Sequence, residues 1–285
     1  MESVKIGIIG GSGIYDIEEI KEVDVIEIDT PFGKPSDKVI IGTLEGVKFA
    51  FLPRHGRGHT ISPSELNYRA NIYALKSLGV EQIISVSAVG SLKEELKPRD
   101  FVVPDQLFDR TKNRPCTFFG NGIVAHVGVA DPFCPELTSL VYDTIKEVGI
   151  PVHKGGTYVC IEGPQFSTRA ESNAYRQLGF SIIGMTNVPE AKLAREAEIC
   201  YVTVALVTDY DVWKADEEVT LETVLANLNA NSANAKNFIK AILPKMDRAR
   251  NCGCPSALAT AIVTSKDIVP KETLNKLQLL IGKYL

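Results

Sequence analysis

The sequence predicts a single α/β domain with three layers, α/β/α, built around a mostly buried mixed β-sheet. Short apolar runs rich in Val and Ile alternate with longer helical patterns almost from end to end of the 285 residues. Several of these runs are too continuously apolar for a strand with one face in water, which is typical of a sheet covered by helices on both faces. No linker and no internal repeat is recognisable, so one domain is the simplest organisation.

The apolar runs and helical patterns follow one another in an order typical of α/β proteins. Strands are predicted at residues 5–9, 39–41, 49–52, 82–87, 101–103, 158–161, 182–185 and 201–207. Helices are predicted at residues 63–78, 135–148, 167–178, 190–197, 221–243 and 271–284. Prolines at 244, 255 and 270 interrupt the last part of the chain. We therefore expect a main domain over residues 1–245 and a helical extension over residues 246–285 that packs on the same domain.

Composition and charge narrow the class of partner. The chain is 45% hydrophobic and 23% charged, an ordinary balance for a globular protein, and its formal net charge is −4. A nucleic-acid-binding surface needs a cationic surplus, so a small-molecule ligand is expected and nucleic acid is not. The N-terminal residues lack the pattern of a secretory signal, and no uncharged apolar run reaches the roughly 18 residues of a transmembrane helix. These features predict a cytoplasmic protein without membrane contact.

Six cysteines are scattered along the chain, at positions 116, 134, 160, 200, 252 and 254. Reduced, buried thiols are the simplest interpretation in so long a chain. Cys252 and Cys254 form a C-x-C motif, which has neither the spacing of a zinc knuckle nor that of the C-x-x-C redox motif. The sequence therefore predicts no metal site.

The first candidate for ligand binding is a glycine-rich turn, Gly10-Gly11-Ser12-Gly13, directly after the strand at 5–9. Small residues there let backbone N–H groups approach an anion, so Gly11 and Ser12 are candidate phosphate ligands. Neither the dinucleotide-binding fingerprint nor the P-loop pattern is present. A tight turn without a ligand is the alternative.

The second candidate is a basic loop, Arg54-His55-Gly56-Arg57-Gly58-His59, directly after the strand at 49–52. Two arginines and two histidines this close together suit a dianion such as phosphate. The spacing of His55 and His59 would suit a metal site on a helix, but the glycines oppose a helix and no glutamate follows His55. A solvated basic loop is the alternative.

Small and hydroxyl-bearing residues end two further strands. The strand at 82–87 leads into Ser87-Ala88-Val89-Gly90-Ser91, which suits contact with an oxyanion. The junction after the strand at 158–161 contains Glu162, Phe166 and Ser167. There the alternative to ligand binding is that Ser167 caps the next helix while Phe166 packs in the core.

Two aspartates stand at the end of the strand at 201–207, in the segment Thr208-Asp209-Tyr210-Asp211. Carboxylates placed close together raise each other's pKa, which helps one of them hold a proton at neutral pH. Asp209 and Asp211 are therefore candidates for a general acid. A turn with two solvated aspartates is the alternative.

Taken together and in this order, these segments resemble the 5′-methylthioadenosine phosphorylases, a branch of the trimeric purine nucleoside phosphorylases. The likeness extends from Lys5 to about Pro244, and it is carried by IGIIGGSGIYD, DTPFGKPSD, PRHGRGHTISPSELNYRANIYAL, SAVGSLKEE, DPFCPEL, IEGPQFSTRAES, GMTNVPEAKLARE and TDYDVWK. It implies phosphorolysis of methylthioadenosine to adenine and 5-methylthioribose 1-phosphate. Alternatives are a broad purine nucleoside phosphorylase, a methylthioinosine phosphorylase and, more remotely, a nucleotide-binding module without turnover.

The resemblance also implies a role for each candidate residue. Phosphate is expected to contact Gly11, Ser12, Arg54, His55, Ser87, Ala88 and Thr186. The ribose of the substrate is expected to contact Phe166 and Met185, and the purine is expected to contact Ser167, Asp209 and Asp211. The 5′ substituent is expected to contact Leu221 and Val224. His59 and a neighbouring subunit's His126 complete the expected substrate-binding residues. Inorganic phosphate is a co-substrate, and neither a metal nor an organic cofactor is expected.

Oligomeric state and cysteine pairing follow from the same resemblance. The family implies a homotrimer or a dimer of trimers. The C-x-C motif resembles that of hyperthermophilic archaeal members, in which the positions of Cys134 and Cys200 are paired. We therefore expect Cys252 and Cys254 to stabilise the protein, with Cys134 and Cys200 as a second bridge if the source is hyperthermophilic.

Overall fold

The computed structural model describes residues 4–11, 20–214, 220–246 and 248–285. Within these ranges the strands form one mixed sheet with helices on both faces. The strands are β1 (Ile6–Gly10), β2 (Lys21–Ile26), β3 (Val39–Leu44), β4 (Val47–Pro53), β5 (Gln82–Ser91), β6 (Phe101–Val103), β7 (Gln106–Arg110), β8 (Val152–Lys154), β9 (Thr157–Ile161), β10 (Ile182–Gly184) and β11 (Cys200–Asp209). The α-helices are α1 (Tyr68–Ser77), α2 (Pro135–Glu147), α3 (Arg169–Gln177), α4 (Asn187–Glu196), α5 (Leu221–Met246) and α6 (Lys271–Ile281).

Strand β5 lies at the centre of the sheet. The main path runs β2-β3-β4-β1-β5-β10-β9-β7, and β11 pairs with β5 and β6. The first half of β5 is parallel to β1, its last residues are antiparallel to β10, and β11 runs parallel to it along its other edge. The carboxyl ends of β1, β5 and β11 therefore meet at one edge of the sheet, where open α/β sheets bind ligands.

The alternation of side chains along the strands divides the core between two helical layers. On β1, Ile6 and Ile8 pack with α2 and α5 on one face, whereas Ile9 packs with α1, α4 and α6 on the other. Because successive side chains of a strand point to opposite faces, one strand contributes to both layers of core. The predicted three-layer α/β/α architecture with a mixed sheet is confirmed.

Three strands are not predicted by the sequence. Strands β2, β7 and β8 contain charged residues in short segments and are largely exposed or half-buried, so they lack the continuous apolar character that identifies a buried strand. They lie towards the margins of the sheet, where polar side chains are tolerated.

Three helix starts differ from the prediction. Helix α3 begins at Arg169, two residues late, because Thr168 caps it, and α4 begins at Asn187, three residues early. Helix α1 begins at Tyr68 and not at residue 63, because the Asn67 side chain accepts a hydrogen bond from the Ala70 N–H and caps the helix. At the start of α4, Val188 has extended dihedral angles ahead of Pro189, which disfavours the α conformation in the residue before it.

The C-terminal segment packs against the same sheet. Leu277, Leu280 and Ile281 of α6 are buried in the core cluster that also contains residues of α1 and α4. Helix α5 is the longest helix described, with 26 residues. In the part of the chain that the structure describes, no helix has both the length and the apolar character required to cross a bilayer.

Candidate active site

A cavity of about 380 Å³ opens at the carboxyl ends of β5 and β11. It brings together nearly all of the predicted site residues, which come from widely separated parts of the chain: Gly11, Arg54, His55, His59, Ser87, Ala88, Phe166, Ser167, Met185, Thr186, Asp209, Asp211, Leu221 and Val224. Two predicted residues are not among them. Ser12 lies outside the described residues, and His126 is exposed on the surface and does not line this cavity.

One end of the cavity presents buried hydroxyl groups. The side-chain oxygens of Ser87 and Thr186 have no hydrogen-bond partner among the described residues, although the two residues are only 7% and 6% exposed. Burial raises the pKa of Tyr158, whose hydroxyl also has no hydrogen-bond partner among the described residues. Buried hydroxyls without partners are costly, so a polar ligand at this end would stabilise the site.

Arg54 lines the same end of the cavity, but its charge is largely committed to the protein. Its guanidinium forms a two-pronged ion pair with the Glu190 carboxylate, at 2.9 and 3.0 Å, and both side chains are fully buried. It also donates to the Val86 carbonyl and the Ser85 hydroxyl. Burial would lower the pKa of Arg54, but the charge of Glu190 outweighs this effect and the pKa is raised. With four of five N–H groups engaged, one on Nη1 remains for a ligand.

His55 is held as a neutral side chain. Burial, with a further contribution from the Arg54 charge, lowers its pKa to about 4. Its Nδ1 lies 2.9 Å from the Ile61 carbonyl, which can only accept, so Nδ1 carries the proton and Nε2 is an acceptor. The ring stacks on His59 at 4.2 Å between centroids. His55 is therefore uncharged and Arg54 is paired, so these two residues offer a dianion less positive charge than the basic sequence of the loop implies.

The two aspartates also line the cavity. Burial raises the pKa of Asp209, whose carboxylate accepts from the Thr208 hydroxyl and the Asp211 N–H, each at 2.8 Å. Burial also raises the pKa of Asp211, and the charge of Asp209 adds to that effect. The side chains are 9% and 4% exposed, so the alternative of a solvated turn is wrong.

The position of Asp209 depends on the strand beside it. The pairing of β11 with β5 is shifted between Val207 and Asp209, a β-bulge that places Asp209 opposite Gly90. A Cβ atom at Gly90 would lie 2.9 Å from the Asp209 Oδ1. Glycine at this point therefore leaves room for the carboxylate at the edge of the sheet.

Apolar side chains line the mouth of the cavity. Phe166 is 50% exposed there, and Leu221, Leu225 and Leu228 of α5 lie along the same wall. The alternative in which Phe166 packs in the core is wrong. The cap of α3 is Thr168, which forms a capping box with Glu171, and the buried Ser167 hydroxyl has no partner among the described residues.

Several residues of the site are not predicted by the sequence. Glu190 is separated by 136 positions from Arg54, its partner, so no local pattern reveals the pair. Arg114 is buried and donates to the Met185 and Val188 carbonyls and to the Glu162 carbonyl, which joins two segments of the cavity wall. The helical spacing of Leu221, Leu225 and Leu228 is visible in the sequence, but the surface that they face is not.

Comparison with known proteins gives consistent matches over nearly the whole chain. The family described as the phosphorylase superfamily matches residues 5–244. The S-methyl-5′-thioadenosine phosphorylase of Koribacter versatilis is 58% identical over 281 residues, covering 98% of this chain and 96% of that protein. The protein of the same name from Geobacter sulfurreducens is 55% identical over 287 residues, covering 100% of both.

Two solved structures that resemble this chain are also methylthioadenosine phosphorylases. A methylthioadenosine phosphorylase from an antarctic soil metagenomic library has a TM-score of 0.94 and 50% identity, covering 98% of this chain and 99% of that chain. A mutant of the adenosine/methylthioadenosine phosphorylase from Schistosoma mansoni, in complex with methylthioadenosine, has a TM-score of 0.82 and 39% identity. That match covers 87% of this chain and 93% of the other.

Proposed function

The chain belongs to the phosphorylase superfamily, within the family of the S-methyl-5′-thioadenosine phosphorylases, and we propose from this premise that it cleaves methylthioadenosine with inorganic phosphate. The products are adenine and 5-methylthioribose 1-phosphate. One observation supports this proposal above all: a single cavity is lined by unpaired buried hydroxyls, by two buried aspartates and by apolar side chains.

Phosphate occupies the end of the cavity that Ser87 and Thr186 line. Their hydroxyls donate to phosphate oxygens, as does the remaining N–H of Arg54. His55 accepts a hydrogen bond from a protonated phosphate oxygen through Nε2, because its own proton is on Nδ1. Inorganic phosphate is thus a co-substrate held mainly by hydrogen bonds from neutral groups, and this reaction requires no metal or organic cofactor.

Bond cleavage involves both the phosphate and the aspartates of the cavity. A phosphate oxygen attacks C1′, the bond from C1′ to N9 of the purine breaks, and N7 of the departing adenine takes up a proton. Phosphate also stabilises the positive charge that develops at C1′. Asp209 supplies the proton, since burial raises its pKa and favours the protonated carboxyl. General acids of this kind contribute rate factors of about 10² to 10⁴.

The apolar mouth accounts for the 5′ substituent. Phe166 and Met185 bound the ribose, and the leucines of α5 face the position beyond it. Burial of a methylthio group against these side chains stabilises the bound substrate, whereas a 5′ hydroxyl would lose hydrogen bonds to water there. The site therefore prefers methylthioadenosine to adenosine.

Assembly and location belong to the same proposal. We propose a homotrimer, or a pair of trimers, in which His126 reaches the cavity of a neighbour. Val124 and Val129 are 47% and 40% exposed on either side of it, as expected of a surface that another subunit covers. We also propose that the protein acts in the cytoplasm in methylthioadenosine salvage, because the chain belongs to a family of methylthioadenosine phosphorylases.

Initial rates test the proposed function directly. Methylthioadenosine, adenosine, inosine and methylthioinosine are compared with and without phosphate, and the release of free base is measured. We expect methylthioadenosine to have the highest kcat/KM and release to require phosphate. Equal release without phosphate would indicate a hydrolase, and a preference for inosine or methylthioinosine would contradict the adenine assignment.

A further inference from the structure

A cluster of four cysteines lies outside the cavity. Cys134 precedes α2, Cys200 begins β11, and Cys252 and Cys254 belong to the segment after α5. All four Sγ atoms lie within 4.8 Å of one another, a spacing that suits the ligands of one metal ion. We propose that these cysteines bind one zinc-like divalent metal ion in a tetrahedral site.

The spacing of the sulfur atoms fits such an ion. Zinc binds thiolates at about 2.3 Å, so the sulfurs of a tetrahedral site are separated by roughly 3.8 Å. In the structure the Sγ atoms of Cys200 and Cys252 are 3.3 Å apart, and the other separations stay within 4.8 Å. Side-chain rotations that move a sulfur by less than about 1 Å would complete the tetrahedron around a metal. Four soft thiolate ligands select zinc over harder cations such as Mg²⁺.

The surroundings of the cluster favour a charged thiolate centre. Cys134, Cys200 and Cys254 are buried and Cys252 is half-buried. Arg195 donates from Nη1 to the Cys254 sulfur at 3.5 Å, and the Asp131 carbonyl accepts from Nη2 and helps to hold that guanidinium. Four thiolates around a divalent cation leave a net charge of about −2, which a neighbouring Arg partly offsets.

The side chain of Cys134 is available for this role. It is the residue that precedes α2, where backbone N–H groups favour a negative charge, and its sulfur makes no capping hydrogen bond to the helix. Cys134 can thus supply its sulfur to a metal without loss of a helix cap.

The expected pairing of Cys134 with Cys200 is not present, since all six cysteines are free thiols. Two disulfides would join the sulfurs in pairs and would leave neutral sulfur next to the Arg195 guanidinium. A single metal centre uses all four sulfurs and gives the guanidinium a negative partner. The prediction of no metal site did not combine the C-x-C motif with Cys134 and Cys200, because these two cysteines are far away in sequence.

A metal at this point would join the C-terminal segment to the sheet and to α2. None of the four cysteines lines the active-site cavity, and four protein ligands leave no open position for a substrate. The site is therefore structural, and the proposal does not depend on the function of the cavity.

Metal analysis of the wild-type protein tests the proposal. The untagged protein is purified with reductant, and its metals are measured by elemental mass spectrometry. We expect about one equivalent of zinc per chain, released when a mercurial reagent blocks the thiols, and a cobalt-substituted form with the absorption bands of tetrahedral cobalt thiolate. Absence of bound metal would overturn the proposal. Thiol titration after denaturation in a chelator without reductant would then show what replaces the metal: six titratable thiols indicate free cysteines, and two indicate a pair of disulfides.

Serine variants locate the site. We expect Cys252→Ser to bind zinc at least about tenfold more weakly and to unfold at a lower temperature, with kcat near the wild-type value at moderate temperature. Cys116→Ser is the matched control, since Cys116 is an exposed cysteine outside the cluster, and it should retain one equivalent. Full zinc content in Cys252→Ser would exclude this site. If that variant does not fold, the zinc content and cobalt spectrum of the wild-type protein decide the question.

Discussion

At the scale of single residues, Asp209 is buried and, when protonated, can donate one hydrogen bond and accept another. A protonated carboxyl can donate to N7 of adenine and accept from its 6-amino group, whereas a 6-oxo purine places its carbonyl against oxygen lone pairs. Sites that bind a specific hydrogen-bonding group can discriminate strongly between analogues. Asp209 is thus expected to determine both the rate and the preference for adenine.

Asp209→Asn separates these two roles. The amide keeps the shape of the carboxyl but has no proton to transfer, and it can donate to a 6-oxygen. We expect methylthioadenosine turnover to fall and the ratio of kcat/KM for methylthioadenosine over methylthioinosine to drop by about tenfold or more. The two ratios are measured in parallel for wild type and variant. Equal ratios would show that Asp209 does not recognise the purine.

Thr186 offers a cleaner test of phosphate binding than Arg54 does. Removing the Arg54 side chain would leave the Glu190 carboxylate buried without a partner, which typically costs about 3–5 kcal/mol of stability. Thr186→Val keeps the volume and loses only the hydroxyl, so we expect the KM for phosphate to rise about tenfold with little change in melting temperature. Thr186→Ser, which keeps the hydroxyl, is the matched control. An unchanged phosphate KM in the valine variant would count against this phosphate site.

The lowered pKa of His55 predicts a dependence of stability on pH. Its pKa is about 4 in the folded protein and about 6.5 when unfolded, so between these values the unfolded chain binds more protons. The contribution of His55 is complete above pH 6.5 and is lost as the pH falls towards 4, by about 3 kcal/mol. Urea denaturation at pH 7 and pH 4 should therefore show a smaller loss in His55→Gln than in wild type. Parallel pH curves would contradict the burial of a neutral histidine.

At the scale of secondary-structure elements, α5 supplies the wall of the cavity that we propose to face the 5′ substituent. Leu225 lines this wall, whereas Glu222, one turn away, is exposed and does not. We expect Leu225→Ala to raise the KM for methylthioadenosine about fivefold, equivalent to about 1 kcal/mol of lost apolar contact, and to change the KM for adenosine less. Glu222→Ala is the matched control. Equal effects on both nucleosides would remove Leu225 from the 5′ pocket.

Some secondary-structure elements can be predicted from the sequence and others cannot. Continuously apolar strands such as β1, β5 and β11 are predicted, because burial on both faces leaves a pattern in the sequence itself. Candidate ligands that directly follow such strands are predicted as well, since parallel strands end at a common edge. By contrast, the role of Glu190 depends on Arg54, which only the tertiary fold brings near it. Polar strands at the margin of the sheet, such as β7, have no apolar run that identifies them.

At the scale of the whole molecule, the exposed position of His126 makes a prediction about assembly. His126 does not line the cavity of its own chain, so it can affect the nucleoside only through a neighbour. We expect light scattering to give three or six times the chain mass of 31.1 kDa. His126→Ala should raise the KM for methylthioadenosine without a change of mass. A fully active monomer would refute the trimer.

The central pairing of β5 with β11 also governs the order in which the protein can fold during its synthesis. The ribosome releases β1 and β5 early, but β11, which covers one edge of β5 over nearly its whole length, emerges only after α4. Contacts between segments so distant in sequence form slowly, because a long loop must close first. The nascent chain must therefore carry an open apolar strand edge for much of its translation, which is the condition that general chaperones protect.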